Sequence, residues 1–337
     1  MKHVLVIRLS ALGDVAIMVP IVKAYADSNQ EIRFTVAGPP MLQPLFADMP
    51  NVGYLGLKKK QSFIKIYRAL NAVGADTVID LHKVNRVGFA IILLRLRHLL
   101  DPHYRIFALR KGKLSRWLFL HHWRRTPRKP QWQRYDDVFR RAGLKCVNAL
   151  MCKCVSADAP DTNTITQSRN RAIIGVAPFS QHEGKIWPLE RTEELVRMLS
   201  ERGHEVVLFG SKSEAPVLEK WARHYAGVTS VAGRLPFAEE LEIIRGLAVM
   251  VSMDSANMHF ASAVGTPVVS VWGATHPDFG FYGIGQDRDN AFCANLSCQP
   301  CSAYGNKPCR YGDYRCLKAI TPEMVMKKIE TLISAAQ

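Results

Sequence analysis

Asp254-Ser255-Ala256-Asn257-Met258-His259 stands between two apolar runs, Ala248 to Val251 and Val268 to Trp272. The pattern reads as strand, polar turn, short helix, Gly265-Thr266-Pro267 turn, strand. A helix that begins straight off a strand aims unpaired N–H groups and its positive dipole end at whatever lies above the sheet, which suits a phosphate. Asp254 or Ser255 would cap that helix, and His259 would lie about one turn in. Taken alone, simple capping and a satisfied, half-buried histidine explain the same residues.

Three further stretches carry chemistry. Ser10-Ala11-Leu12-Gly13-Asp14 follows the apolar run His3–Leu9, and it lacks the glycine spacing of a dinucleotide fingerprint. Gly13 would allow a tight turn, and Asp14 would either cap the next helix or take a proton from a substrate hydroxyl. Lys185, in Lys185-Ile186-Trp187-Pro188 after the run Ala172–Ala177 and Ser180, could neutralise a diphosphate as a point charge, or simply be solvated. Gly210-Ser211, at the end of Glu205–Phe209, would suit a ribose or base edge, as would many strand-to-helix turns. Cys298, Cys301, Cys309 and Cys316 have 2, 7 and 6 residues between them. Their Cys-x-x-Cys half-site admits structural zinc; reduced thiols packed in a loop, or disulfides in an oxidising compartment, are the alternatives.

The elements needed to position these residues alternate along the chain. Strand readings at His3–Leu9, Ile32–Gly38 and Thr77–Leu81 interleave with helical ones at Val15–Ala26, Phe63–Val73 and Asn85–Leu100. Residues 101–134, broken by Pro102, Pro127 and Pro130, read as partly loop, and Tyr135–Ala142 as a helix. The polar stretch 158–170 marks a linker, after which strands at Ala172–Ala177 and Glu205–Phe209 interleave with helices at Pro188–Arg202, Ala215–Tyr225 and Ala238–Gly246. Thr321-Pro322-Glu323 starts a terminal helix. Such alternation implies βαβ units and parallel sheets, with ligands at the carboxyl ends of strands. The expected division is 1–165 and 166–337, with the helix 321–335 free to pack back on the first domain, and a cleft between the halves as the site.

The 337 residues, 48% hydrophobic and 22% charged, suit a soluble two-domain protein. Arg8 interrupts the first apolar run too early for a signal-peptide core, and the longest run, Val87 to Leu94, is too short to span a bilayer. A cytoplasmic location follows as the expectation, with contact at the inner membrane surface left open. The net charge of +16 is one-sided: residues 1–165 hold 27 Lys/Arg against 11 Asp/Glu, and residues 166–337 hold 18 against 18. Between Arg95 and Arg134 there are twelve Lys/Arg, four histidines and the single acid Asp101. An anionic partner for the first half is implied, a phosphorylated acceptor or a membrane surface, and no nucleic-acid motif accompanies the charge.

Four ordered blocks give this chain a resemblance to the heptosyltransferases of glycosyltransferase family 9, which include ADP-heptose:lipopolysaccharide heptosyltransferases. They are Arg8 to Asp14 with Pro20, Lys185-x-Trp187-Pro188, Phe209-Gly210-Ser211, and Val231-Ala232-Gly233 through Asp254-Ser255-x-x-x-His259 to Gly265-Thr266-Pro267. The resemblance implies an α/β chain of GT-B type, two Rossmann-like domains facing a central cleft, and metal-independent inverting transfer of a heptose or related sugar from a nucleotide-sugar, ADP-heptose above others, to a lipopolysaccharide inner-core or lipid A acceptor. It implies Asp14 as general base, with Ser10 and Gly13 toward the acceptor; independently of the resemblance, the charge split sets Arg124 and Arg125 toward an anionic glycolipid acceptor or membrane surface. It implies Ser180, Lys185, Gly210, Ser211, Asp254, Ser255, Ala256 and His259 around the donor. Ala256 and Phe179 stand where glycines are usual and bear on the choice of donor. A non-catalytic sugar-nucleotide or glycan binder, and a nucleotide-sugar epimerase of similar build, are the competing readings.

Overall fold

The computed structural model describes residues 1–58, 60–110, 112–121, 123, 126–146 and 171–335. The described chain divides into two units, one containing residues 1–112 and the chain from Gln131, the other Lys113–Pro130 and the second half.

The first unit is built on a parallel sheet of order β3-β2-β1-β4-β5, comprising β1 (His3–Ile7), β2 (Arg33–Gly38), β3 (Val52–Gly56), β4 (Thr77–Asp80) and β5 (Arg105–Ala108). Val4, Leu5, Val6 and Ile7 are all buried, because helices cover both faces of a central parallel strand and leave no side for polar residues. Helix α1 (Leu12–Ser28) follows β1 directly; α2 (Phe63–Ala72) and α3 (Asn85–Arg97) send Ile66, Leu70, Val87, Ala90 and Leu94 into one core with Leu5 and Ile7. The register sets Ile7 opposite both Ala37 and Asp80, so the chain after β1 leaves the sheet beside the end of β4.

The second unit has a parallel sheet of order β11-β10-β9-β6-β7-β8. Its strands are β6 (Ile173–Ala177), β7 (Glu205–Leu208), β8 (Val228–Ser230), β9 (Val249–Met253), β10 (Val268–Trp272) and β11 (Ala291–Cys293). β9 and β10 are buried throughout, which explains why each is apolar but for one buried serine, Ser252 and Ser270. The fully buried Trp187 ties the loop after β6 to the far end of the unit through Nε1, which donates to the Ile320 carbonyl at 3.1 Å. The terminal helix Pro322–Ala335 buries Val325, Met326 and Ile329 in this same core.

The basic region, expected to be partly loop, also carries regular elements. It contains β5 and a helix, Lys113–Leu120, and Lys113–Pro130 clusters with the second unit instead of the first half of the chain. The physical reason is local: Phe119 meets His276 and Phe279 edge-on, and the Arg128 N–H donates to the Asp278 carbonyl at 2.9 Å. The Arg128 guanidinium also lies 4.7 Å over the Phe279 ring. The expected linker 158–170 and the boundary at 165 lie outside the described residues. Among the described residues no helix is long and apolar enough to cross a membrane.

Candidate functional site

In the first unit the chemistry gathers at the carboxyl end of β1. Arg8 pairs through Nη2 with the Asp14 carboxylate and through Nη1 with the Leu81 carbonyl just past β4. Asp14 sits at the third position of α1 and also accepts from the Ala11 N–H at 3.3 Å, so the capping role read from sequence is real. It does not exhaust the carboxylate, whose side chain keeps 18% of its surface accessible. Burial works against charge on Arg8, but Tyr135, Asp14 and Asp80 outweigh it and hold the guanidinium above its ordinary pKa. Tyr135 closes the group, its hydroxyl 3.4 Å from the Asp14 carbonyl and its ring under Arg8. Burial, with Asp14 nearby, pushes its phenol well above the ordinary value. Ser10 and Gly13 are half-buried beside Asp14. The tight turn expected of Gly13 is absent: it lies inside α1, and its φ is not among the positive ones. Arg124 and Arg125 lie outside the described residues.

In the second unit a polar cluster forms where β6, β9 and β10 end. The Lys185 ammonium lies 2.8 Å from Asp254 Oδ2 and 3.3 Å from the Asp254 carbonyl. Ser180 Oγ donates to that carbonyl at 3.2 Å, and Thr275 Oγ1 to Asp254 Oδ2 at 2.8 Å. Asp254 is thereby spent on Lys185 and Thr275 and does not cap the helix Ala256–Ala263. Ser255, at the N-cap position, makes no capping bond either; its hydroxyl lies 3.0 Å from that of Ser252. The first-turn N–H groups of this helix are left without a side-chain cap, and Lys185 is held by Asp254, two residues before the helix begins. His259 is buried on the second turn.

Close backbone approach makes the cradle possible. The Ala274 N–H donates to the Gly184 carbonyl at 2.7 Å, joining the Glu183–Lys185 turn to the chain after β10. A Cβ on Gly305, at φ +75°, would meet the Lys185 side chain at 2.6 Å, so that glycine is what lets the lysine stem lie flat. Gly210 and Ser211 follow β7 at its carboxyl end. Ser211 makes a helix-start bond, its N–H donating to Glu214 Oε2 at 2.6 Å, while the Gly210 carbonyl accepts from the Gly233 N–H of the chain after β8.

Cys298, Cys301, Cys309 and Cys316 line one small cavity with Tyr311, Tyr314 and Arg315. All four are free thiols, and among the described residues no three His, Cys, Asp or Glu are disposed to hold a metal ion. Burial pushes the Cys316 thiol up to about 11. At Cys309 burial is the largest single influence and pushes the thiol up, but the N–H groups of Tyr311, Tyr314, Asp313 and Gly312 together outweigh it and hold the thiol below its ordinary value.

A family model described as glycosyltransferase family 9 (heptosyltransferase) matches residues 63–312. The chain belongs to this family. The lipooligosaccharide heptosyltransferase 2 of Haemophilus influenzae is 28% identical over 172 residues, 49% of this chain and 48% of that protein. The match to this relative thus spans about half its length. The lipopolysaccharide core heptosyltransferase OpsX of the same organism is 22% identical, over 82% of this chain and 80% of its own. A family 9 glycosyltransferase structure from Veillonella parvula superposes with a TM-score of 0.72 at 18% identity, covering 99% of this chain and 98% of that one. The Escherichia coli ADP-heptose lipopolysaccharide heptosyltransferase II superposes at 0.67 with 19% identity, covering 100% and 99%. These likenesses establish the fold, that of the GT-B heptosyltransferases.

The two departures from the family-9 pattern become concrete. Ala256 begins a regular helix, so its Cβ strains no backbone angle, and its N–H remains at the helix start. Phe179 packs against the core of the second unit. Two partners went unassigned in the sequence. Arg8 stood inside a family block without a role, though a cation ending an apolar strand was signal enough. Thr275 follows β10 as Asp254 follows β9, and the rule that ligands gather at strand ends would have found it.

Proposed function

We propose that this family 9 chain is an inverting glycosyltransferase that moves a heptose, or a related sugar, from a nucleotide-sugar to a lipopolysaccharide inner-core acceptor. ADP-heptose is the favoured donor, as in the name of the Escherichia coli ADP-heptose lipopolysaccharide heptosyltransferase II that this chain resembles in fold. The observation that carries the reading is the Lys185–Asp254 pair set against a helix start without a side-chain cap. A diphosphate would accept from the Ala256 and Asn257 N–H groups while Lys185 turns part of its charge from Asp254 to the phosphates. Asp14, oriented by Arg8, would take the proton of the acceptor hydroxyl as its oxygen bonds to the anomeric carbon. The bond from that carbon to the diphosphate breaks, and the nucleoside diphosphate leaves with its charge met by Lys185 and the helix. Inversion follows from this single displacement. The negative charge that develops has cationic and N–H partners in the chain, so the step is assigned no metal.

The test begins with calorimetry of ADP-heptose beside GDP-, UDP- and dTDP-sugars, in which ADP-heptose should bind most tightly. Product formation should then fall by about 10²–10⁴ in Asp14→Ala with donor affinity kept, and should survive exhaustive chelation. Full turnover by Asp14→Ala, or equal binding of every donor, would sink the assignment; loss of turnover on chelation would sink its metal-free step.

A further inference from the structure

Helix α3 is apolar on two opposite sides. Val87, Ala90 and Leu94 are at most 2% exposed and face the core. Phe89, Ile92 and Leu96, at spacings of three and four residues, are 56%, 54% and 61% exposed, and Leu99, in the turn just past the helix, is 69% exposed. At about 100° per residue the second set is centred roughly 180° from the first, so it is no overflow of the core face. Phe63 of α2 brings its ring within 6.0 Å of Phe89 and, with the exposed Ile64, widens the stripe. A water-facing helix side is ordinarily polar, and a continuous exposed apolar patch marks a surface that something covers.

Charge identifies the occupant. α2 and α3 hold five Lys/Arg (Lys65, Arg68, Arg86, Arg95 and Arg97) and not one Asp or Glu. By helical spacing Arg95 falls on one side of the stripe and Arg97 on the other, and both are exposed. A second copy of this chain would bring the same cations against these, a like-charge arrangement that disfavours pairing. An apolar ridge bordered by cations is instead the pattern of a helix lying in the interface of an anionic bilayer. We propose that the outer face of α2 and α3 seats the protein on an anionic lipid surface. Phe89, Ile92, Leu96 and Leu99 enter the headgroup–acyl boundary, and Arg95 and Arg97 meet lipid phosphates.

This surface stands on burial and charge, so it is measured without sugar transfer. The full chain is floated with vesicles of phosphatidylglycerol and phosphatidylethanolamine, and separately with phosphatidylcholine alone. It should bind the anionic vesicles and lose at least about tenfold in affinity at high salt. The variants Phe89→Ser/Ile92→Ser/Leu96→Ser and Arg95→Gln/Arg97→Gln should each lose a similar factor with unchanged thermal midpoints, because the sites are exposed. Asp14→Ala should float like the wild type, which separates failure of docking from failure of the transferase reading. Unaltered binding by the triple serine variant, equal binding to phosphatidylcholine, or a solution dimer that the triple variant splits would each overturn the proposal.

Discussion

Asp14 and Lys185 are each half of an ion pair, and the two pairs do different work. Arg8 fixes the Asp14 carboxylate from behind, while Asp254 holds Lys185 at the mouth of the helix Ala256–Ala263. Arg8→Gln should therefore lower kcat with donor affinity nearly unchanged, since it disturbs only the residue that meets the acceptor. Lys185→Ala should weaken donor binding by roughly ten- to a hundredfold, the range for hydrogen bonds to charged groups. Steady-state kinetics beside donor calorimetry will check the split; a common fall in both parameters for both variants would contradict it. Removing Lys185 also leaves Asp254 without its cation at a nearly buried site, so that variant should be less stable as well.

The helix Ala256–Ala263 owes its placement to its far end. Gly265, at φ +86°, donates to the Ser262 carbonyl, and the Thr266 N–H reaches the Ala261 carbonyl at 3.0 Å, closing a Schellman motif. Thr266 Oγ1 then donates to the Ile244 carbonyl at 2.7 Å and anchors the turn. Gly265→Ala forces a Cβ into left-handed backbone and should cost about 1–2 kcal/mol, read as a lower urea midpoint with unchanged slope. The strand β7 carries a pH sensitivity of its own. His204, just before it, is buried and accepts the Ala172 N–H on Nδ1 at 3.4 Å, which requires that nitrogen to be unprotonated. Burial first, then Arg202, lowers its pKa from 6.5, partly opposed by Glu330. The unfolded chain then binds the extra proton more readily, so this contribution is intact above about pH 6.5 and is lost as pH falls toward the folded value. Thermal midpoints measured from pH 8 to 5 should fall less steeply in His204→Gln.

At the scale of the molecule, each unit has its own parallel sheet and core; Ser10, Gly13 and Asp14 belong to one, and Lys185, Asp254 and the helix Ala256–Ala263 to the other. Donor binding should slow amide exchange at Ser180 to Lys185 and at Ala256 to Met258, with residues 3–14 little changed. Exchange measured with and without ADP will show whether protection is confined in this way. The charge excess of the first half of the sequence is shared between units, because Arg116, Arg128 and Lys129 cluster with the second.

What the sequence determined by itself follows from period and punctuation. The buried runs of β1, β6, β9 and β10, the helices between them and the stretches carrying Asp14, Lys185 and Asp254 were all legible, because a parallel strand covered on both faces is apolar along most of its length. What only the tertiary structure decided concerns partners far apart in the chain. The pairing of Asp254 with Lys185 and Thr275, and of Arg8 with Leu81, depends on strand register, which local pattern does not encode. The placement of Lys113–Pro130 depends on Phe119 and Arg128 finding Phe279, more than 150 residues away by the Arg128–Phe279 separation of 151. The outward stripe of α3 was invisible for the same reason: apolar residues on two sides of a helix read as one buried helix until the sheet shows which side it covers.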